Sequence, residues 1–386
     1  MQTLNDSPHR ARATSRAVDG DHVVFSQVEK SYDGTTQVVK SLSLAVRRGE
    51  FLTLLGPSGS GKTTTLMMLA GFEAPTAGTI SIDGVNLTTT PPHKRGIGMV
   101  FQNYALFPHM SVADNVAFPL SARKVPKAEI AKKVAKALEM VKMQDFASRR
   151  PAQLSGGQQQ RIALARALVF DPSLVLMDEP LGALDKQLRE HMQTEIKHLH
   201  KMLGVTVVYV THDQDEALAM SDRVAIFNNG IIEQIGPPTE IYESPNTAFV
   251  SRFVGDNNLL DGIVHECYAS ADGDYRAKVT HGECQFEALT SKPLTCGARV
   301  SLVLRPERVA IASQGAILEN QVNSEIIEST YFGDHVRLTC KIPSGNEISV
   351  KVANTSSLGS LRSGQSLPIG WRSVDSRALA AAGELR

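Results

Sequence analysis

The sequence predicts a parallel α/β sheet domain followed by a small all-β barrel. The apolar runs Leu174–Met177 and Val205–Val210 each follow a helical stretch and each end at polar residues, the order of a parallel sheet with its chemistry at the carboxyl ends of the strands. Phe51–Leu55 is a third short apolar run, and it ends in glycine. From about residue 258 the texture changes to alternating segments, Arg299–Leu304, Val336–Cys340 and Ile348–Val352, separated by Gly, Asn, Pro and Ser. Small antiparallel barrels read this way.

Residues 1–20 carry Arg10, Arg12 and Arg16 among Ser and Thr, which resembles an organellar transit peptide until Asp6, Asp19 and the missing amphipathic period are weighed. A disordered extension is expected there. Val23–Phe25 and Leu42–Val46 flank Tyr32-Asp33-Gly34 as two strands flank a turn, giving an edge hairpin that leads into the buried strand Phe51–Leu55. Between about residues 90 and 165 the chain turns mainly helical, with Ile130, Val134, Leu138 and Val141 on one face of a helix over 127–142. That stretch is expected to be a subdomain inserted into the sheet domain. Residues 186–203 repeat the helical spacing with Leu188, Met192, Ile196, Leu199 and Leu203, and stop at Gly204. Asp256-Asn257-Asn258 is the expected boundary, which leaves a sheet domain over 21–256 and a barrel over 258–386.

At 386 residues the chain has room for two domains. Lys plus Arg and Asp plus Glu both number 40, a formal charge of zero without a long basic run, so nucleic acid is not expected as a partner. No window offers the roughly 20 apolar residues that span a bilayer, so any membrane role must come through a partner. Cys267, Cys284, Cys296 and Cys340 lack Cys-x-x-Cys spacing and read as reduced thiols, with no secretory signal, pointing to the cytoplasm.

Gly56-Pro57-Ser58-Gly59-Ser60-Gly61-Lys62-Thr63 matches G-x-x-x-x-G-K-[ST] between a strand and the helical run Thr64–Ala70. In that context a glycine-rich backbone wraps the phosphates of ATP. Lys62 is expected to bridge the β- and γ-phosphates and Thr63 to ligate Mg²⁺, with Thr64 counted in the nucleotide-binding set. Asp178 closes a strand and would orient Mg²⁺ or a water in its shell. Glu179 would accept a proton from the attacking water, the alternative being a cap or ion pair at the strand end. His212, also at a strand end, would contact the γ-phosphate and help place that water. Gln102 lies at the entrance to the helical insert, where its side chain could reach the metal and the water when the insert swings inward. Tyr32 is placed to stack on adenine, or else is a buried edge residue.

Ser155, Gly156, Gly157 and Gln158 open another helix that runs through Arg161, Ile162, Leu164 and Leu168. Its N-terminus is a second anion site, facing outward. One compact domain cannot readily bring both anion sites to the same γ-phosphate, so two chains head to tail are expected to bury two ATP molecules between them. Asp185, after Leu181-Gly182-Ala183-Leu184, would connect the two sites across that interface.

In this order the residues resemble the ATP-binding cassette ATPases over 22–256. The resemblance implies Tyr32 as the adenine-stacking loop, Gly56–Thr63 as the Walker A loop, Gln102 as the Q-loop and Leu154–Gln158 as the signature. It further implies Asp178 and Glu179 as Walker B and catalytic base, Asp185 as the D-loop and His212 as the switch. The implied fold is a P-loop, RecA-like core with a small antiparallel part and an inserted helical subdomain. Residues 258–386, with Leu304-Arg305-Pro306-Glu307, resemble the oligonucleotide/oligosaccharide-binding-like (TOBE) barrel appended to bacterial importer ATPases, a regulatory or dimerising domain. Phe101–Met110 and Tyr331-Phe332-Gly333-Asp334-His335 look most like the polyamine (spermidine/putrescine) importers, while sugar, ferric iron and sulfate importers share much of the wording. The resemblance thus implies a homodimer on two permease subunits at the cytoplasmic face of the inner membrane, served indirectly by an extracytoplasmic solute-binding protein. A groove by Gln102 and Phe107–Met110 would receive a permease helix, unless those residues are ordinary core. Other readings are a soluble cassette ATPase acting on DNA or ribosomes, which the single cassette, the zero charge and the lack of heptads disfavour, and a sensor whose barrel restrains the ATPase.

Overall fold

The computed structural model describes residues 20–270, 273, 275–312, 318–354 and 362–380. The extension expected over 1–20 lies, Gly20 apart, outside them. The chain divides into two compact units, Met1–Pro238 and Thr239–Arg386.

Unit 1 runs β1 (Asp21–Ser31), β2 (Gln37–Arg47), β3 (Phe51–Leu55), α1 (Lys62–Ala70), β4 (Ala77–Ile82), β5 (Val85–Asn86), β6 (Gly98–Val100), α2 (Val112–Ala122), α3 (Lys127–Met140), α4 (Gly156–Leu168), β7 (Leu174–Asp178), α5 (Lys186–Leu203), β8 (Thr206–Thr211), α6 (Gln214–Met220), β9 (Arg223–Asn228) and β10 (Ile231–Gly236). The expected hairpin is β1 and β2, paired antiparallel, and it belongs to a four-stranded sheet ordered β2-β1-β4-β5. The main sheet is ordered β10-β9-β3-β8-β7-β6, parallel throughout except for the β10–β9 pair.

Side-chain alternation along the central strands explains why their sequences are almost continuously apolar. Leu52, Leu54, Leu174, Leu176, Val208 and Val210 enter the core beneath α1 and the antiparallel sheet. Phe51, Val175, Met177, Val207 and Tyr209 enter the opposite core with Met192 and Ile196 of α5. Both faces are buried, so nearly every position is apolar, and the threonines that intervene, Thr53, Thr206 and Thr211, have their hydroxyls paired with Ser221, Gly49 N–H and Glu216. Each such side chain contributes roughly 1.5–3 kcal/mol of burial. Helix α5 ends where Gly204 takes a left-handed conformation (φ 61°) and returns its N–H to His200 O.

The helical subdomain is narrower than the expected 90–165. Strand β6 falls inside that range and pairs Gly98, Met99 and Val100 with Val175, Leu176 and Met177, so it is part of the main sheet. Helices α2, α3 and α4 form the inserted layer around their own core of Val112, Val116, Leu120, Val134, Leu138 and Ile162.

Unit 2 holds two short helices, α7 (Pro238–Glu243, its first residue at the division) and α8 (Ala248–Phe253). After them come β11 (Asn258–Ala269), β12 (Tyr275–His281), β13 (Cys284–Thr290), β14 (Arg299–Leu304), β15 (Ala310–Ile311), β16 (Asn320–Tyr331), β17 (His335–Lys341), β18 (Glu347–Ala353), β19 (Ser366–Trp371) and β20 (Ser376–Ala380). Five of these close a barrel in the order β11-β12-β13-β20-β14. The runs at 336–340 and 348–352, expected in the barrel, instead lie in a second sheet ordered β15-β19-β16-β17-β18. Alternation fixes that a segment is a half-buried strand but not which sheet it joins.

The division also falls ahead of Asp256–Asn258. The buried guanidinium of Arg305 donates to the carbonyls of Tyr242 (2.6 Å), Val254 and Asp256 (3.3 Å), and lies 3.8 Å above the Tyr242 ring. The helices before the barrel are therefore fastened to it. Arg305→Ala leaves those carbonyls without a charged donor and should destabilise unit 2 by about 1.5–3 kcal/mol. Urea denaturation followed by Trp371 fluorescence reads this as a lower midpoint, and an unchanged midpoint would remove Arg305 from that role.

The four cysteines are free thiols, Cys340 buried and Cys296 exposed. Among the described residues no helix is long and apolar enough to cross a membrane.

Candidate active site

Four adjacent strands deliver the chemistry to one edge of the main sheet. In the order β3-β8-β7-β6 their carboxyl ends lead into Gly56, His212, Glu179 and Gln102, and the register pairs Leu55 with Thr211, Asp178 with Val210 and Val100 with Met177.

The loop from Gly56 to Gly61 bends back so that α1 starts under it. Gly61, at φ 101°, caps the helix where an added Cβ would stand 2.7 Å from Val38 O, so only glycine fits. No acidic side chain occupies the first turn of α1, which leaves its N-terminus to an outside anion. Lys62 is buried, its Nζ bonded to Gly56 O and Pro57 O at 2.8 Å each and to Ser60 Oγ at 3.4 Å. Burial lowers its pKa, while the nearby Glu179 and Asp178 carboxylates oppose that. The ammonium is held by three oxygens of the loop whose bound anion it would face.

Thr63 Oγ1 donates to Asp178 Oδ1 at 3.3 Å. Burial raises the Asp178 pKa, with the Thr63 hydrogen bond working against it and Glu179 with it. A half-desolvated carboxylate beside a hydroxyl is a hard-oxygen pair that suits Mg²⁺, which takes few protein ligands and otherwise keeps water and phosphate oxygens. Among the described residues no three His, Cys, Asp or Glu side chains form a metal cage.

Glu179 is the centre of the arrangement. Its carboxylate accepts from Gln102 Nε2 at 3.1 Å through one oxygen and lies 3.2 Å from His212 Nδ1 through the other. Its backbone sits at φ 43°, and its N–H bonds to Val210 O at 2.9 Å. A non-glycine residue is strained there, as at many functional positions.

The remaining expected residues stand apart from this cluster. Tyr32 is 61% exposed, with Lys30 Nζ 4.6 Å from its ring centroid, so it is not the buried edge residue considered as its alternative. Ser155 caps α4: its Oγ accepts from Gln158 N (3.4 Å) while Gln158 Oε1 accepts from Ser155 N (2.9 Å). Gly157 lies against α5, where an added Cβ would meet Leu188 at 3.1 Å. Asp185 caps α5 by accepting from Leu188 N at 3.0 Å.

Sequence reasoning passed over Arg166. From inside α4 its guanidinium donates to Tyr104 O (2.6 Å) and Ala105 O (2.7 Å), both residues at positive φ, and so ties the signature helix to the chain that follows Gln102. Arg166 also borders a cavity of about 600 Å³ lined by Phe72, Met99, Phe101, Phe107 and Phe118. Of the stretch expected to form a groove, Phe107 lines it, whereas Gln102 points to Glu179 instead.

The chain is similar to known proteins over most of its length. Residues 39–182 match the ABC transporter family and residues 302–379 match the TOBE domain. The spermidine/putrescine import ATP-binding protein of Thermobifida fusca is 44% identical over 92% of this chain and 93% of its own, and that of Rubrobacter xylanophilus is 43% identical over 96% and 97%. A dimeric structure of an ATP-binding cassette in a post-hydrolysis state with ADP and Pi is 35% identical, with a TM-score of 0.51, over 56% of this chain and 98% of its own. With a nucleotide loop, a strand-end carboxylate pair and a relative matched over more than nine-tenths of both chains, the chain belongs to the ABC transporter family as an ATP-hydrolysing import subunit.

Proposed function

We propose that this subunit powers uptake of a polyamine, spermidine or putrescine, across the inner membrane. It would work as a homodimer bound to two permeases on the cytoplasmic face and be stimulated through a solute-binding protein outside. The observation that carries the hydrolytic part is Glu179 bracketed by Gln102 and His212 beside Lys62 and Asp178. The polyamine part is supported by two relatives that span most of the chain, both of them spermidine/putrescine import ATP-binding proteins.

Lys62 and the N-terminus of α1 bind the triphosphate, and Thr63, Asp178 and the Gln102 amide would hold Mg²⁺, which when bound would supply positive charge against the phosphate oxygens. Glu179 takes the proton of the attacking water while His212 and Gln102 keep the carboxylate aimed. Ser155, Gly156, Gly157 and Gln158 of one copy cover the nucleotide held by the other, and Asp185 lies between the two sites. Unit 2 serves as the regulatory barrel. Reconstitution with the native permeases tests the solute: a binding protein loaded with spermidine or putrescine should raise ATP turnover, and stimulation only by a ferric iron, sulfate or sugar-loaded protein would reassign the cargo.

The Tyr32 ring is proposed to stack on adenine, a contact that needs a flat face and no hydroxyl. Tyr32→Phe and Tyr32→Trp should keep nucleotide affinity, whereas Tyr32→Ala should lose about 1–3 kcal/mol. Fluorescent-nucleotide titration checks this, and a Phe variant as weak as the Ala variant rules stacking out.

A further inference from the structure

One guanidinium stands between the segment that carries Asp185 and the segment that carries His212. Arg189 lies one turn into α5, its own N–H bonded to Asp185 O at 2.9 Å. Its Nη2 donates to Leu184 O at 3.1 Å and its Nη1 to Asp213 Oδ2 at 2.8 Å.

Asp213 follows His212 and caps α6 with its other oxygen, which accepts from Asp215 N at 2.8 Å and Glu216 N at 3.3 Å. Its own N–H donates to Thr211 Oγ1 at 3.0 Å. Behind it Glu216 is buried and accepts from the Tyr209 and Thr211 hydroxyls at 2.7 Å each, and its second oxygen lies 3.9 Å from Arg189 Nε. The residues on both sides of His212 are thus held by a network that ends on Arg189. A planar guanidinium serves acceptors on separate segments from two nitrogens in fixed directions, whereas an ammonium offers one nitrogen whose donors rotate freely. The Arg189–Asp213 pair is mostly shielded, with side chains 29% and 23% exposed, so its geometry is not averaged out by water.

We propose that Arg189 is a positioning residue that makes the placement of His212 depend on the placement of the Asp185 segment, so that a second copy of the chain engaging Asp185 is registered at the hydrolysis site of the first. This rests on the site assignment made under Proposed function. Moving Leu184 and Asp185 pulls on the guanidinium, the guanidinium pulls on Asp213, and His212 shifts relative to Glu179. Glu216 keeps the far end of the network stationary, so the displacement is not lost in α6.

The test is a double-mutant cycle on the full-length chain, with kcat and KM for ATP measured for Arg189→Ala, Arg189→Lys, Asp185→Ala and the doubles. Each single change should lower kcat roughly tenfold with KM within about twofold, and each double should be no slower than its slower single parent. Arg189→Lys should keep the parent's thermal midpoint yet lose the coupling, which separates positioning from simple support of α5 and serves if the Ala variant does not fold. Parent-like kcat in both Arg189 variants, or losses that multiply in the doubles, would overturn the proposal. His212→Ala is the companion variant: full turnover there overturns the site assignment itself, whereas a dead His212→Ala with multiplying Arg189 and Asp185 losses overturns the Arg189 link alone.

Discussion

Glu179→Gln should lower ATP turnover by roughly 10²–10⁴-fold, the usual worth of a positioned general base, while nucleotide still binds. The substitution keeps the side chain's size and its contact with Gln102, but an amide cannot take the proton of the attacking water. The carboxylate is held from two sides, by Gln102 Nε2 at 3.1 Å and His212 Nδ1 at 3.2 Å, and its backbone is locked at φ 43° by the bond from its N–H to Val210 O. Little reorientation is then needed for it to act, and little else at this edge of the sheet can replace it, since Asp178 is turned to Thr63. Phosphate release measures the loss. Because ATP would bind without being consumed, an ATP-stabilised dimer should also accumulate and elute early in size-exclusion chromatography. Near-parent hydrolysis by Glu179→Gln would remove this residue from the chemistry.

Mixing two inactive proteins should restore nucleotide occlusion. Lys62→Ala empties the phosphate loop of its buried ammonium, and Ser155→Arg replaces the cap of α4 with a long cation at the signature helix. A homodimer of either variant carries two damaged sites. In a mixed dimer both lesions can fall in the same composite site, leaving the other with Lys62 from one chain and Ser155 from its partner. Co-expression with two different tags, followed by purification through both, isolates that species. Trapped nucleotide is the readout, because interdependence of the two sites could suppress hydrolysis even when one is whole. Mixed dimers that occlude no more than either parent would count against a site shared between chains.

Much of this arrangement was legible in the sequence because buried parallel strands and backbone anion sites demand particular residues. Leu174–Met177 is apolar at every position and Phe51–Leu55 at all but Thr53, whose buried hydroxyl is paired with that of Ser221 at 2.6 Å, because both faces of these strands are covered. Gly61 had to be glycine, as its φ and the nearness of Val38 O admit nothing else. Strand β6 was missed because Gly98-Met99-Val100 is too short to display a period. Arg166 and Arg305 were missed as ligands of carbonyls because every residue has a carbonyl, so nothing in a sequence marks the acceptor. Arg189 left a fainter trace: it stands four residues after Asp185, one turn along the same helix face. Asp213 and Glu216 have the spacing of a helix N-cap followed three residues later by Glu, a pattern that sequence reasoning passed over and one that can mark the start of α6 but not its partner on α5.

The barrel is closed by its last strand. β20, at Ser376–Ala380, lies between β13 and β14, pairing parallel with the first at Leu289 and antiparallel with the second along Val300–Leu304. During synthesis, β11 to β14 would leave the ribosome with two open sheet edges facing each other and remain so while more than seventy residues, roughly, are added. At about 5–20 residues per second that is several seconds of exposed edge, long after the strands of unit 1 have all been made. The second sheet is inserted within that same interval, so its strands can fold against one another before the gap is sealed. A chain stopped short of Ser376 would keep both edges open, and it is such stalled or clipped products, rather than the finished protein, that should recruit chaperones and aggregate.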